Sequence, residues 1–515
     1  MTGRPLKALG WTVFGGAVCL LSLGGLTRSH NWGDDFATYI LQARSIVQGN
    51  PSQFVEANRF TIETSTYVIG PIAAPWGAPV LLAVPYALFG LDIVALKSVN
   101  VVCYWLFLLV LWWGFRRHHS GFWLFVLVAL FALNPSFHST FMNRILSDIP
   151  FLLFSTLSII LIGRVVIDRA RLVAPVVDHV LLGLAMAAAF FVRGNGVLLV
   201  ATLATTHAIQ AIRNRRAAPS AVGAVPYLVV AVAVVVWKAL LPEGGYVPPS
   251  TPVSIRGVWR NLHYYLDLPA DFFAGAPLAR VVYGATIPLA LVGMYDRMAV
   301  AYSMIIYALL TGLLYVVWPE TSGLRYLFPV LPLFMSFVVA ALETRHVGVP
   351  RWRRGLWTIV RAGPAIVVLL CFASASGAAV ARNLAGRNPE EPGPYLATAQ
   401  QLFAFVSRET DPHAVIVFFK PRALRLFTDR SSVAIGRADR LDVGDHVCLY
   451  LRQEHPNQVP REVVSRLQES GRLIPVYRNA DFECYRIWKE ALAFDRPAAH
   501  HSRTWLSEEV VRSGS

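Results

Sequence analysis

The chain has 515 residues, 55% of them hydrophobic and only 15% charged, with a mean hydropathy of +0.50. Soluble chains carry about 25% charged residues, and this one repeats apolar runs of about 18 residues or more, which excludes a soluble globular protein. The formal net charge of +15 would ordinarily suggest nucleic acid, but the basic residues cluster in short loops between apolar runs, where they fix orientation in a membrane.

Arg4 and Lys7 precede an apolar run from about Ala8 to Leu26. Its length and the lack of a small-x-small site before Arg28 favour a retained span over a cleaved signal peptide. Next comes Asn31 to Asn50, in which Phe36, Tyr39, Ile40, Ala43, Ile46 and Val47 recur at helical spacing, opposite Thr38, Gln42, Arg44 and Gln48. That pattern predicts a short amphipathic helix lying along a membrane interface, with Asp35 at its N-cap and Gly49 ending it. Asp35 either caps this helix or serves as a base at the mouth of a membrane cavity. Residues 51 to 77 are mixed in character and end in a proline-rich re-entering loop, Pro71 to Pro79.

Ala78 to Phe89 reads as a short apolar helix, and spans follow at about 93–115, 122–134, 149–167, 180–192, 197–212, 226–241, 281–295, 299–318, 327–342 and 357–379. With the first run these make about eleven. The Arg-rich turns at 116–119, 169–171, 213–216 and 345–354 all fall on one side of this path. The N-terminus is therefore expected inside, and loops 27–77, 135–148, 242–279 and 319–325 outside. Within 242–279, Val258 to Leu266 reads as a second interfacial helix. The expected class is an α-helical polytopic membrane protein over residues 1–380, a small extracytoplasmic α/β soluble domain over 381–497, and a polar tail, 498–515. In the soluble part, strands are expected at 414–419, 432–435, 446–451, 473–477 and 482–488, and helices at 421–427 and 463–470.

Five cysteines are too few for a disulfide framework. Cys19, Cys103 and Cys371 lie in apolar spans, whereas Cys448 and Cys484 sit on strand-like segments of the soluble part, where a bond forms if that part is outside the cell.

Charges at the outer ends of spans need a reason, because positive residues are expected inside. Asp148, between Ser147 and Pro150, is a helix cap or a functional acid. Arg193 either snorkels or binds. Arg325, beside Tyr326, either pairs with Glu320 or grips phosphate oxygens bidentately. Two acidic sites and two arginines around one cavity suit group transfer from a lipid phosphate. A base takes the acceptor's proton, and cations stabilise the departing phosphate.

The run Gly33-Asp-Asp-Phe-Ala-Thr-Tyr-Ile-Leu-Gln-Ala-Arg44, with its Asp35, Tyr39, Ala43 spacing, is followed by 75–100, by Leu146-Ser-Asp-Ile-Pro-Phe151 and by Arg325-Tyr-Leu-Phe-Pro-Val-Leu-Pro332. Together they resemble the GT-C glycosyltransferases that use polyprenyl-phosphate sugars, the group of protein O-mannosyltransferases and aminoarabinose transferases. The likeness runs over about residues 8 to 380. Residues 418–430 resemble part of the outer domain that some bacterial members carry. The resemblance implies an essential Asp in the first outer loop, often followed by Glu. Here Phe36 stands in the Glu position, so Asp34 and Asp35 are both candidates, with Asp148 assisting. Some relatives also bring a Lys from the re-entrant loop to the lipid phosphate. Trp76 and its prolines occupy that stretch here, which leaves Arg325, Tyr326 and Arg193 as candidate phosphate contacts.

The implied function is an inverting transfer of a sugar from a polyprenyl-phosphate-linked donor to a glycan, lipid or protein acceptor at the outer face of a cell membrane, bacterial inner membrane by preference. No nucleic acid takes part. A divalent metal is optional in such proteins, and nothing in the sequence demands one. Two alternatives share the spans: a lipid or glycan transporter, which would more often have inverted repeats and polar residues at mid-membrane, and a non-catalytic envelope-assembly scaffold.

Overall fold

A computed structural model describes residues 3–67, 70–168, 176–213, 221–245, 253–343, 351–388 and 390–489. The expected polar tail, 498–515, lies outside the described residues, as do the Arg-rich turns at 169–171 and 214–216. The chain divides into two compact units, one of residues 1–60 and 69–396, the other of 61–68 and 397–515.

The first unit is helical: α1 (Gly3–Gly24), α2 (Asp35–Val47), α3 (Pro51–Thr64, shared with the second unit), α4 (Gly77–Phe89), α5 (Ile93–Phe115), α6 (Gly121–Ala132), α7 (Asp148–Ile162), α8 (Val176–Val192), α9 (Val197–Arg213), α10 (Ala221–Leu240), α11 (Ile255–Asp267), α12 (Ala279–Val317), α13 (Leu331–Glu343) and α14 (Arg351–Leu384). Among the described residues seven stretches are long and apolar enough to cross a bilayer, and four shorter apolar helices accompany them. The 39-residue α12 supplies two of the expected spans, because Ala301 leaves helical geometry at φ −118°, ψ 16° and breaks it. This is the expected polytopic membrane protein.

Lipid offers no hydrophobic drive for helices to associate, so close packing and hydrogen bonds must do it. The helices follow that rule. A Cβ on Gly293 of α12 would run into the Phe337 backbone of α13, so glycine lets the two backbones meet. The buried Tyr104 hydroxyl donates to the Phe131 carbonyl at 2.6 Å, and the Asn134 amide to the Phe272 carbonyl at 2.8 Å.

Two expectations for the loop after α1 need correction. The N-cap of α2 is Asp34, because the Thr38 amide donates to the Asp34 carbonyl at 3.4 Å and Asp35 is already helical. Moreover, the polar side of α2 is covered over its first turns and opens only at its end, where Arg44 is half-buried and Gln48 exposed. Thr38 and Gln42 are as buried as Phe36 and Ile40, since the Gln42 amide donates to the Ala74 carbonyl at 3.0 Å and its oxygen accepts from the Ala74 N–H at 3.1 Å. The re-entering loop thus gives the polar side of α2 a partner that sequence periodicity does not reveal.

In the second unit, α15 (Ala397–Glu409), α16 (Pro421–Thr428) and α17 (Arg461–Glu469) accompany a five-stranded sheet. Its strands are β1 (Val415–Phe418), β2 (Ser431–Val433), β3 (His446–Tyr450), β4 (Leu473–Arg478) and β5 (Phe482–Ile487), in the order β2-β1-β3-β5-β4. β1 pairs in parallel with β2 and β3, whereas β5 runs antiparallel to β3 and β4. Cys448 and Cys484 stand opposite each other in β3 and β5 and form a disulfide. The β4 pairing slips near Pro475, which lacks a ladder N–H and suits an edge strand.

Candidate functional site

The first loop is held from below before it reaches the cavity. Lys97, fully buried in α5, donates to the Thr27 carbonyl at 2.8 Å, the Ser29 carbonyl at 2.6 Å, the Thr27 hydroxyl at 3.2 Å and the Asn143 side-chain oxygen at 3.3 Å. Asn143 in turn donates to the Gly25 carbonyl at 2.8 Å and accepts from the Thr27 N–H at 2.8 Å. Loop 25–30 is thereby fixed to the 137–144 turn. His30 continues the link: its Nδ1–H donates to the Asn31 carbonyl at 2.9 Å while Nε2 accepts from the Ile145 N–H at 3.2 Å. Burial first, then the nearby cations Lys97 and Arg144, depress its pKa to about 4, and the neutral ring is the only form that satisfies both bonds.

Above this knot opens a cavity of about 570 Å³. Its charged lining is Asp35, Asp271, Arg144 and Arg325, with His30 beside them and the hydroxyls of Ser136, Thr140 and Ser322 on its walls. Asp35 reaches it because Asp34 takes the capping position, leaving the Asp35 side chain 50% exposed. Asp34 is not among the lining residues.

Arg325 joins the two acidic sites. One of its terminal nitrogens lies 3.7 Å from Asp35 and 3.9 Å from Asp148, and its Nε donates to the Ser322 carbonyl at 3.2 Å. Burial works against its charge, but Asp148 and then Asp35 more than offset that and raise its pKa. Gly323 makes the approach possible: its φ of +67° and ψ of −172° are open to essentially no other residue.

Asp148 is buried at the start of α7 and ion-paired with Arg193. The Arg193 guanidinium also lies 5.1 Å from the Tyr326 ring centre, and Tyr326 stacks on Tyr315 at 4.6 Å. The Tyr39 hydroxyl donates to Ser147 at 3.1 Å, and burial and then the nearby Asp35 push that phenol up to about 12. Asp35, Asp148, Arg193, Arg325 and Tyr326 therefore stand together, although sequence separates them by up to about 290 positions.

Sequence reasoning passed over Arg144, His30, Asp271 and Lys97. Arg144 lines the cavity with no ion-pair partner among the described residues. A guanidinium without a counter-charge can take an anion. Its signal was present, as a positive residue on the side where few are expected. Among the described residues no three His, Cys, Asp or Glu side chains gather as a metal site requires.

No protein-family model matches the sequence, and no curated protein does. Solved structures do match. ArnT from Cupriavidus metallidurans in the apo state superposes with a TM-score of 0.60 over 94% of this chain and 99% of its own, at 14% identity. The same protein bound to undecaprenyl phosphate gives a TM-score of 0.58 over 93% and 98%, at 14% identity. The chain has the GT-C fold. A further GT-C structure, the archaeal oligosaccharyltransferase AglB from Archaeoglobus fulgidus with an inhibitory peptide and a dolichol-phosphate, gives 0.54 over 96% and 76%, at 10% identity.

Proposed function

We propose that this protein is a membrane glycosyltransferase that moves a sugar from a polyprenyl-phosphate carrier to an acceptor hydroxyl, with inversion. The observation that carries this reading is the Asp35–Arg325–Asp148–Arg193 chain on a cavity that also holds Arg144, which has no ion-pair partner among the described residues. Likeness in fold to a protein bound to undecaprenyl phosphate supports the lipid-phosphate donor.

In this reading Asp35 is the base. It takes the proton as the acceptor oxygen attacks the anomeric carbon. The bond from that carbon to the phosphate oxygen breaks on the opposite face, and polyprenyl phosphate leaves with the electron pair. Arg144 and Arg325 stabilise the departing charge. Asp148 and Arg193 act through Arg325 and Tyr326 as positioning residues, since the Asp148 side chain is only 4% exposed. The loop charges support an extracytoplasmic side for the cavity and the C-terminal unit.

The test is Asp35→Asn. Asparagine keeps the volume, and the Asp35 side chain is half exposed and outside the N-cap position, so stability should change by about 1 kcal/mol or less. Transfer to acceptor from a polyprenyl-phosphate sugar extract should fall on the order of a hundredfold or more, whereas Asp34→Asn should stay near wild type. Full transfer by well-folded Asp35→Asn would sink the assignment. Envelope glycan and lipid mass spectrometry of a deletion strain identifies the sugar and the acceptor.

A further inference from the structure

Helix α11 has three faces. Asn261 and Tyr265 are buried. Ile255, Trp259, Leu262 and Leu266 fall on one stripe at spacings of four, three and four, and three of them are open: Ile255 is 91%, Trp259 62% and Leu266 58% exposed. Arg256 and Arg260, both exposed, each follow one stripe residue and so stand about 100° round the helix from it. A Trp- and Leu-bearing apolar stripe edged by arginines is the pattern of a helix lying in a membrane interface.

Orientation does not account for these arginines. The basic 116–119 turn lies at the far end of the helices, where Arg297 reaches the His118 carbonyl at 2.7 Å. By contrast, α11 sits at the cavity end, where positive residues are disfavoured. Anionic headgroups are the partner that both faces of the helix fit.

The same helix holds the loop that delivers Arg325. The Asn261 amide donates to the Val316 carbonyl at 3.2 Å and the Trp318 carbonyl at 2.5 Å, and the Gly323 N–H donates to the Tyr264 hydroxyl at 3.1 Å. Loop 318–323 is thus tied to α11 at both its ends, two residues before Arg325.

We propose that α11 is a docking surface for anionic phospholipid headgroups, with Arg256 and Arg260 as the headgroup contacts and the 255/259/262/266 stripe in the acyl layer, and that this docking sets the position of Arg325. The second half rests on the glycosyl-transfer reading. The first half does not.

The full chain is reconstituted in nanodiscs of phosphatidylcholine alone or mixed with phosphatidylglycerol, either lipid being brominated in turn, and the Trp259→Phe variant serves as the fluorescence blank. The Trp259 signal should be quenched more by brominated phosphatidylglycerol than by brominated phosphatidylcholine. In Arg256→Gln/Arg260→Gln the preference should disappear, with phosphatidylglycerol affinity down about 25-fold, about fivefold per arginine. Equal quenching by both lipids in the wild type, or a preference that survives the double variant, overturns the headgroup contact. Absence of quenching by either lipid overturns the surface itself and leaves water or a protein partner as its occupant.

Sugar transfer should rise with phosphatidylglycerol in the wild type and not in the double variant, while Asn261→Ala/Tyr264→Phe should keep the lipid preference and lose its effect on transfer. Selective quenching with lipid-independent transfer overturns the coupling. Selective quenching with no transfer in any lipid instead overturns the glycosyltransferase reading and leaves the surface standing.

Discussion

A carboxylate serves as a base only if an acceptor can reach its oxygens, and this separates the two acids that Arg325 bridges. Asp35 is half exposed on the cavity, whereas Asp148 lies beneath Arg193. Removing one partner of a buried pair strands the other charge. Asp148→Ala should therefore lower unfolding free energy by about 3 kcal/mol or more as well as transfer, which a thermal melt alongside the activity assay will register. Arg144 has no such partner among the described residues, so Arg144→Gln should leave the melt nearly unchanged and raise the KM for donor by about tenfold, the scale of a charge-assisted hydrogen bond. An unshifted KM would remove Arg144 from the phosphate contact. His30 gives the site a pH dependence of known sign. Its folded pKa of about 4 lies below the ordinary 6.5, so between those values the unfolded chain binds a proton that the folded chain refuses. Its contribution to stability is present above pH 6.5 and is lost as pH falls toward 4, by about 3 kcal/mol at most. Unfolding in detergent followed from pH 7 to 4.5 should carry this slope, and His30→Gln should flatten it.

At the scale of elements, sequence was most readable where one periodicity meets one environment. The long apolar helices and the strands of the second unit fall close to where hydropathy and alternation put them, as with Val415–Phe418 inside 414–419 and Ile93–Phe115 at its expected bounds. Elements whose partners come from far away were not readable. Pro51–Thr64 carries Glu56, Asn58, Arg59 and Glu63 and so lacks an apolar run, and Gln42 on the polar side of α2 finds its match in the distant Ala74 backbone. Lys97 is the sharpest case, since one charge inside a 23-residue apolar helix says that a partner exists without naming it. The partners are carbonyls of the loop leading to Asp35. In Lys97→Met the side chain still fills the space, but the Thr27 and Ser29 carbonyls lose a buried donor, at about 1–3 kcal/mol each. The variant should melt lower and lose transfer even at temperatures where it stays folded, because the loop no longer aims Asp35. Full activity in a folded Lys97→Met protein would separate the knot from the site.

For the molecule as a whole, the cysteines bear on which side of the membrane holds the C-terminal unit. Cys19, Cys103 and Cys371, in the first unit, are free thiols, whereas Cys448 and Cys484 are bonded across β3 and β5. Disulfides persist in oxidising compartments and are rare where glutathione and thioredoxin keep thiols reduced. A bonded pair in the second unit therefore agrees with the side that the Arg-rich turns assign to it, by a physical route independent of charge. Protein taken from cells under trapping conditions and denatured without reductant should accept alkylating reagent at three cysteines, and at five after reduction. Alkaline phosphatase joined after Asn388 should be active, and joined after Arg216 inactive. Five reactive thiols together with the opposite fusion pattern would put Asp35 on the cytoplasmic face, where the donor, the acceptor and the direction of the proposed transfer would all have to be assigned anew. Five reactive thiols with the expected fusion pattern would break the bond alone and leave the topology intact. Agreement of the two measurements ties the oxidised sheet, the Arg-rich turns and the cavity to one orientation of the chain.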